Sequence, residues 1–510
     1  MTILNKILEN PRKSAFFSGL LLVFALPPCY QVWLTVIAFG CLIILLQNAS
    51  DYKKAFFVGY WFGFGFFSFG LSWIANALVL DLIHFGWLIP IAVLASGAFF
   101  GVFVGIPAML THFFKNDTAK ILAFSAFWGI FEWLRSFFLT GFPWNLLGSI
   151  WTFDHRFLQL AACFGTYGLS SLTVFMAILP FNRQKKLFSL LISVLLLVCM
   201  AGFGFWRCYK IDNVGESDLR IRVVQPSIPQ NLKWNYGDLE NNFADYVEMS
   251  QDKDFENFNA VIWGETASTF ALKWDKTHFM QIMPAIPDDG YLITGSIDYL
   301  EDEEDRFLPV NAGLVLNHAQ GVISDYAKTH LVPFGEYLPL RRFLPAGLRP
   351  ITNVIADFKS GEGNKTVKTE SLPPFGILIC YEIIFPHEII NSNDRPQWLI
   401  NLTNDGWYGR SFGPYQHLAA AQLRAAEEGI TIVRAANSGV SALISRSGKI
   451  LASIGLQVRG NLDFYLPENR DIITPYARYG NLCFFVLAAL LLATALIADY
   501  KPRMKKINRI

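Results

Sequence analysis

The sequence predicts two unlike parts: a polytopic α-helical membrane domain of about eight spans and, between the seventh and eighth, a soluble α/β domain. Three observations predict this. First, the 510 residues are 53% hydrophobic and only 16% charged, with a mean hydropathy of +0.34, whereas a soluble domain carries about 25% charge. Second, long apolar runs fill the first two fifths of the chain and return near its end. Third, the region between them is polar, and short apolar strands there alternate with helical periodicity. The net charge of +1 gives no sign of a nucleic-acid partner.

The apolar runs are 14–30, 32–46, 55–78, 86–114, 121–139, 157–180, 187–206 and 479–498. Most approach the ~20 residues that cross a bilayer as helix. The first two are short and separated by Pro27-Pro28, so they could form one hairpin. The N-terminus does not read as a cleavable signal peptide, because further spans follow at once and no small-residue cleavage site stands out. Loop charges set the orientation. Lys6, Arg12, Lys13, Lys53, Lys54, Lys115, Lys120, Arg183, Lys185, Lys186, Lys501, Arg503, Lys505, Lys506 and Arg509 fall on one side if every run crosses. Arg156, Arg207, Lys210 and Arg478 are the smaller opposite set. Positive loops stay cytoplasmic. The expected domains are therefore 1–210 in the membrane, 211–475 outside, and 476–510 as the last span with a basic tail, both termini being cytoplasmic.

Within the soluble domain, 219–225 alternates and reads as a strand. Stretches 260–263, 291–297 and 398–402 are short apolar strands, and 313–316 with 321–323 form a hairpin. Residues 417–428 carry helical spacing; 430–433 and 441–444 are strands, with 446–449 as the turn of that pair. Strands alternating with helices, plus hairpins, predict mixed sheets.

One stretch, FGILICYE (375–382), runs from an apolar strand straight into Cys380, with a helix-like segment expected from Pro386. A strand end holds a sulfur rigidly, and a helix N-terminus favours the thiolate. A buried cysteine is equally a small core residue. Of seven cysteines, the other six lie in or beside apolar segments; there is no CxxC and no zinc-type spacing, so no metal and no cofactor are expected. Two more polar residues end apolar strands: Glu265 after AVIW, and Lys328 in DYAKTHLVPFGE. Acyl transfer through a thiol needs a base, a cation for the tetrahedral intermediate and a nucleophile, and Glu265, Lys328 and Cys380 fit those parts.

The order WGET…YAKTHLVPFGEYLP…CYE resembles the nitrilase superfamily, with its Glu-Lys-Cys triad on an α-β-β-α sandwich. A fuller set resembles the bacterial apolipoprotein N-acyltransferase family: EWLRSFFLTGFPWN (132–145), QPSIPQNLKW (225–234), WGETA (263–267), KTHLVPFGEYLPL (328–340), CYE (380–382), NLTNDGWYG (401–409), GPYQHLAAAQLRAAE (413–427) and RAANSGVSALI (434–444). Two departures, WGET for WPET and NDGWYG for NDAWFG, touch no triad position. The resemblance implies a multi-pass inner-membrane enzyme with a periplasmic catalytic domain. It implies that an acyl chain passes from a phospholipid to the cysteine as a thioester, then to the free α-amino group of a diacylated apolipoprotein. It further implies Glu265 as base, Lys328 as charge stabiliser, Cys380 as nucleophile, the Tyr381 amide as a second oxyanion donor, and Glu336, Tyr381, Glu382 and Trp234 in support. Tyr381 and Trp234 also read as packing, and Glu382 as a loop brace.

Glu132 and Arg135 stand inside an apolar run at helical i, i+3 spacing, which predicts a mutual ion pair. Trp144 is expected at the junction of membrane and domain. Two rivals remain on sequence alone. A membrane-anchored amidase or nitrilase-type hydrolase would release its acyl group to water and would need neither GFPWN nor the Glu132/Arg135 pair. A transporter or scaffold would need polar residues across several spans.

Overall fold

The computed structural model describes residues 3–301, 306–339, 357–468 and 472–507. Leu340 of the KTHLVPFGEYLPL stretch and Arg509 of the tail lie outside them. The chain divides into two units, Met1–Lys210 with Ala426–Glu428 and Ile473–Ile510, and Ile211–Ala425 with Gly429–Ile472.

In the first unit every apolar run becomes helix: Pro11–Leu22, Leu34–Gln47, Tyr52–Gly70, Leu88–Thr111, Asp117–Arg135, Ala161–Ile178, Lys186–Ile211 and Leu482–Ile507. Polar caps start two of them. Asp51 accepts from the Lys54 amide, and Asn116 from the Thr118 and Ala119 amides. Among the described residues, four helices are long and apolar enough to cross a membrane: Leu88–Thr111, Ala161–Phe181, Lys186–Ile211 and Leu482–Tyr500. A fifth is added if Tyr52–Gly70 and Ser72–Val79 form one span through their 46° bend. Leu34–Gln47 has 14 residues, about 21 Å at the helical rise, against a hydrocarbon core of ~30 Å. Small residues let the helices close on each other. A Cβ on Gly59 would lie 2.4 Å from Ala108 Cβ and 2.6 Å from the Val104 carbonyl oxygen.

Glu132 and Arg135 attract each other electrostatically, as their spacing predicts, while their hydrogen bonds go to other groups. Glu132 Oε1 accepts from the Trp128 indole (3.0 Å) and the Leu147 amide (2.8 Å). Arg135 Nη1 donates to the carbonyls of Phe142 (3.0 Å) and Trp144 (2.6 Å), with its guanidinium 4.9 Å from the centre of the Phe67 ring. The i, i+3 spacing identifies neighbours on one helix. It cannot reveal that the chain returns at 142–147 and supplies backbone partners to both side chains.

The second unit contains two six-stranded sheets. The first has the order β12-β1-β2-β3-β4-β5 and the second β11-β10-β9-β8-β7-β6. The strands are β1 Glu216–Gln225, β2 Ala260–Ile262, β3 Tyr291–Glu301, β4 Phe307–Asn317, β5 Gly321–Ala327, β6 Thr366–Val367, β7 Phe375–Ile379, β8 Trp398–Thr403, β9 Thr431–Ala436, β10 Ser441–Ile444, β11 Ile450–Ile454 and β12 Gly460–Pro467. β1, β2 and β3 are mutually parallel, as are β7, β8 and β9; the remaining pairings are antiparallel, so both sheets are mixed. The turn at 446–449 joins β10 to β11 rather than β9 to β10, and β11 is only partly buried.

Period-two alternation builds the core between the sheets. Ile221, Ile262, Ile293 and Val315 of the first sheet share one buried cluster with Ile377, Ile379, Ile400, Leu402 and Val433 of the second. Each such side chain is worth about 1.5–3 kcal/mol of burial. Val261, Leu292 and Leu314 alternate to the outer face of the first sheet and pack with Phe243 and Tyr246 of helix Leu239–Ser250 and Ile282 of helix Lys276–Ile282. On the second sheet, Asn401 and Arg434 alternate away from the core, and Arg434 meets His417 of helix Gly413–Glu428. The layers are therefore helix, sheet, sheet, helix.

Candidate active site

The three strand-end residues collect at one edge. Glu265 lies three residues past β2, Lys328 directly follows β5, and Cys380 directly follows β7. Strands β2 and β5 run in the same direction through β3 and β4, so their C-terminal ends share that edge, where open α/β sheets place ligands. The Glu265 amide reaches across to the Thr403 carbonyl at the end of β8, at 3.4 Å, tying the two sheets together there.

Lys328 is 1% exposed. Its Nζ lies 3.2 Å from Glu265 Oε1 and 2.9 Å from Glu336 Oε1. Burial alone would lower its proton affinity, but the two carboxylates outweigh that and hold its pKa above the ordinary lysine value. The clamp is braced by a residue that carried no role in the sequence reading. Asn311 on β4 donates through Nδ2 to both Glu265 Oε1 (2.8 Å) and Glu336 Oε1 (3.0 Å). The other oxygen of Glu336 accepts from the Val332 amide at 2.8 Å.

Cys380 opens a short 3-10 segment, Cys380–Ile384, and has φ +49°. A left-handed backbone at a non-glycine residue costs about 1–2 kcal/mol and marks functional positions. The helix expected from Pro386 is absent: the described residues turn and bend there. The expected lowering of the thiol pKa is reversed as well. Burial pushes the Cys380 thiol up, Glu265 adds to the rise, and Lys328 only partly offsets it, leaving a value of about 12. At rest the sulfur is therefore protonated.

Glu382 links the strand ending at Cys380 to the loop after Lys328. Its Oε2 accepts from the Ile379 amide (2.6 Å), and its Oε1 from the Tyr326 hydroxyl (2.7 Å) and the amides of Thr329 (2.7 Å) and His330 (3.2 Å). It thus fixes the residue before Cys380 and the two after Lys328. Tyr381 is buried, edge-on to Phe385 at 5.2 Å. Trp234 follows the turn Gln230–Lys233, and its buried indole N–H has no hydrogen-bond partner among the described residues.

Behind the sulfur, sequence reading misses a fully buried polar network. His417 Nδ1 lies 2.7 Å from Asp405 Oδ1, and His417 Nε2 lies 3.1 Å from the Cys380 carbonyl oxygen. Arg434 donates to Asp405 Oδ2 (2.7 Å) and Asn401 Oδ1 (2.6 Å). Burial raises Asp405, but Arg434 and His417 outweigh it and hold the carboxyl below the usual range. Gly295 is also required: a Cβ there would lie 2.4 Å from the Thr266 nitrogen and 2.7 Å from Glu265 Cα. Three of these residues stand inside recognised stretches, NDGWYG, GPYQH and RAANSG, which is the signal that finds them.

Residues 18–179 match the family model described as the apolipoprotein N-acyltransferase N-terminal domain, and residues 220–462 match that of carbon-nitrogen hydrolases. The chain is 34% identical to an apolipoprotein N-acyltransferase of Rhodopseudomonas palustris, over 96% of this chain and 95% of that one. It is 36% identical to one of Bradyrhizobium diazoefficiens, again over 96% and 95%. Among solved structures, an amidase from Nesterenkonia sp. aligns with 50% of this chain and 93% of its own, at 14% identity and a TM-score of 0.34. The chain belongs to the apolipoprotein N-acyltransferase family, acyltransferases of the nitrilase superfamily.

Proposed function

We propose that this enzyme takes an acyl chain from a phospholipid onto Cys380 and transfers it to the α-amino group of the S-diacylglyceryl-cysteine that begins an apolipoprotein. The observation that carries this reading is Lys328, clamped between Glu265 and Glu336 beside a left-handed Cys380. Ionising a thiol of pKa about 12 outright at pH 7 costs roughly 7 kcal/mol, so the proton passes to the Glu265 carboxylate as the sulfur attacks. The sulfur bonds to the ester carbonyl carbon, and Lys328, with the Tyr381 amide as second donor, stabilises the oxyanion. Collapse breaks the ester C–O bond, and Glu265 returns the proton to the departing lysophospholipid oxygen. In the second half, Glu265 takes a proton from the acceptor amine, the nitrogen attacks the thioester, and the C–S bond breaks as Glu265 gives that proton to the departing sulfur, restoring the thiol and the carboxylate. Glu336 and Asn311 keep Lys328 aimed, Glu382 holds the two loops, and Trp234 borders the site.

The apolar helices anchor the enzyme in the inner membrane, with about eight crossings, 1–210 and 476–510 forming the membrane part and 211–475 lying in the periplasm. The loop charges support both termini being cytoplasmic. Purified enzyme given phospholipid and a diacylated lipopeptide with a free amine should yield triacylated lipopeptide, and Cys380→Ser should not. Release of free fatty acid with unchanged lipopeptide would make the enzyme a hydrolase instead.

A further inference from the structure

Lys233 plays no part in this mechanism, yet it is 3% exposed and adjoins the site. It ends the helical turn Gln230–Lys233. Its Nζ donates to the Glu265 main-chain carbonyl (2.8 Å) and to the Thr266 hydroxyl (2.7 Å). Both acceptors are neutral, and among the described residues no carboxylate lies within ion-pair distance of it. A buried ammonium without a counter-charge is costly unless its surroundings use it. Thr266, which it anchors, has φ +43°, another strained position beside Glu265.

The charges of the site say what that use is. The Lys328 ammonium faces two carboxylates, so this cluster carries a net negative charge. Asp405 already has Arg434. When the Cys380 proton passes to Glu265, the negative charge leaves a carboxylate that Lys328 already pairs with and appears at the sulfur. Lys233 interacts electrostatically with both Glu265 and Cys380. We propose that Lys233 is a second ammonium of the active site, a positioning residue that fixes the Glu265 main chain and offsets the negative charge arising at Cys380 during acyl transfer. This rests on Cys380 being the nucleophile.

Burial pulls the Lys233 amine down to about 8, against the pull of Glu265 and Cys380, so its charge can be removed at accessible pH. While Lys233 is charged, thiolate rises tenfold per pH unit. Once it loses its proton, the thiolate has lost its partner and further alkali gains little. The test is the rate of Cys380 alkylation by iodoacetamide in the full-length protein from about pH 6 to about pH 10, read on the Cys380 peptide by mass spectrometry. Wild type should show a break to lower slope near pH 8. Glu265, Lys328 and Asp405 also face the thiol, so Lys233→Met decides which group causes the break: it should vanish, with alkylation at that pH about tenfold slower. Lys233→Gln keeps a donor for the Glu265 carbonyl without the charge and should behave as Lys233→Met does. A wild-type profile that runs straight through the range overturns the proposal, and it needs no variant to fold. A Lys233→Gln profile identical to wild type overturns it too, leaving only a peg for the main chain. Alkylation of Cys380 that left acyl transfer intact would instead refute the nucleophile.

Discussion

Replacing Lys328 with arginine keeps the positive charge and removes what the structure says matters, its position. The lysine Nζ sits 2.9 and 3.2 Å from one oxygen each of Glu336 and Glu265, and both oxygens are held by Asn311. The side chain is 1% exposed, so the wider planar guanidinium must fit within buried surroundings built around a single ammonium. Overpacking of this kind costs about 1–3 kcal/mol of stability. Losing one oxyanion donor costs about 10²–10³ in rate, or some 2.7–4 kcal/mol of transition-state stabilisation. Lys328→Arg should therefore fold with a modestly lower Tm and form acyl-enzyme about 10²–10³ times more slowly. Lys328→Met removes the ammonium that both carboxylates share. The two then repel, one takes up a proton, and the base is compromised together with the cation. The assay is the time course of the intact-mass adduct at saturating phospholipid, with thermal melts alongside. A Lys328→Arg rate within about tenfold of wild type would mean that the lysine serves the fold and not the reaction.

Other outcomes follow from neighbouring contacts. Gly295→Ala drives a methyl group into the backbone of Glu265 and Thr266, at 2.4–2.7 Å; acyl-enzyme formation should fall far more than the melting temperature does. Asp405 is held below the usual carboxylate range, so its stabilising contribution is present above its unfolded value of about 4 and is lost as pH falls through the folded value. Wild-type Tm should drop steeply in acid, whereas Asp405→Asn should start about 3–5 kcal/mol less stable and vary less with pH; parallel curves would contradict this. Reporter fusions after Gln184 and Lys506 should score cytoplasmic and one after Asp252 external, and a cytoplasmic score at Asp252 refutes the orientation.

The triad is legible in the sequence because each member interrupts an apolar strand at its end, and strand ends are visible as changes from apolar to polar residues. The sheets are legible for the same reason where strands are buried on both faces, as in FGILI and WLINLT. Strands β11 and β12 escape because they are partly exposed and stand at the edges of their sheets. Lys233 and Asp405 stand in polar stretches and Asn311 interrupts an apolar strand, but sequence spacing does not tell which side chains they meet; those contacts follow from long-range packing of the two sheets. The direction of the Cys380 shift is hidden for a related reason. Neighbouring charges can be guessed from motifs, but the degree of burial that outweighs them cannot. Glu132 and Arg135 show the same limit, since their partners at 142–147 depend on a chain return that helical spacing does not encode.

The central claim is a thioester on Cys380, and the intact mass of the purified enzyme after incubation with phospholipid alone tests it most directly. With no acceptor present, the second half-reaction cannot run and the intermediate accumulates. The enzyme should gain the mass of one acyl chain, confined to the peptide containing Cys380, released by neutral hydroxylamine and discharged by a diacylated lipopeptide with a free amine. Cys380→Ser should carry little or none. No adduct on wild-type protein, together with N-acylation of lipopeptide by Cys380→Ala, would contradict it.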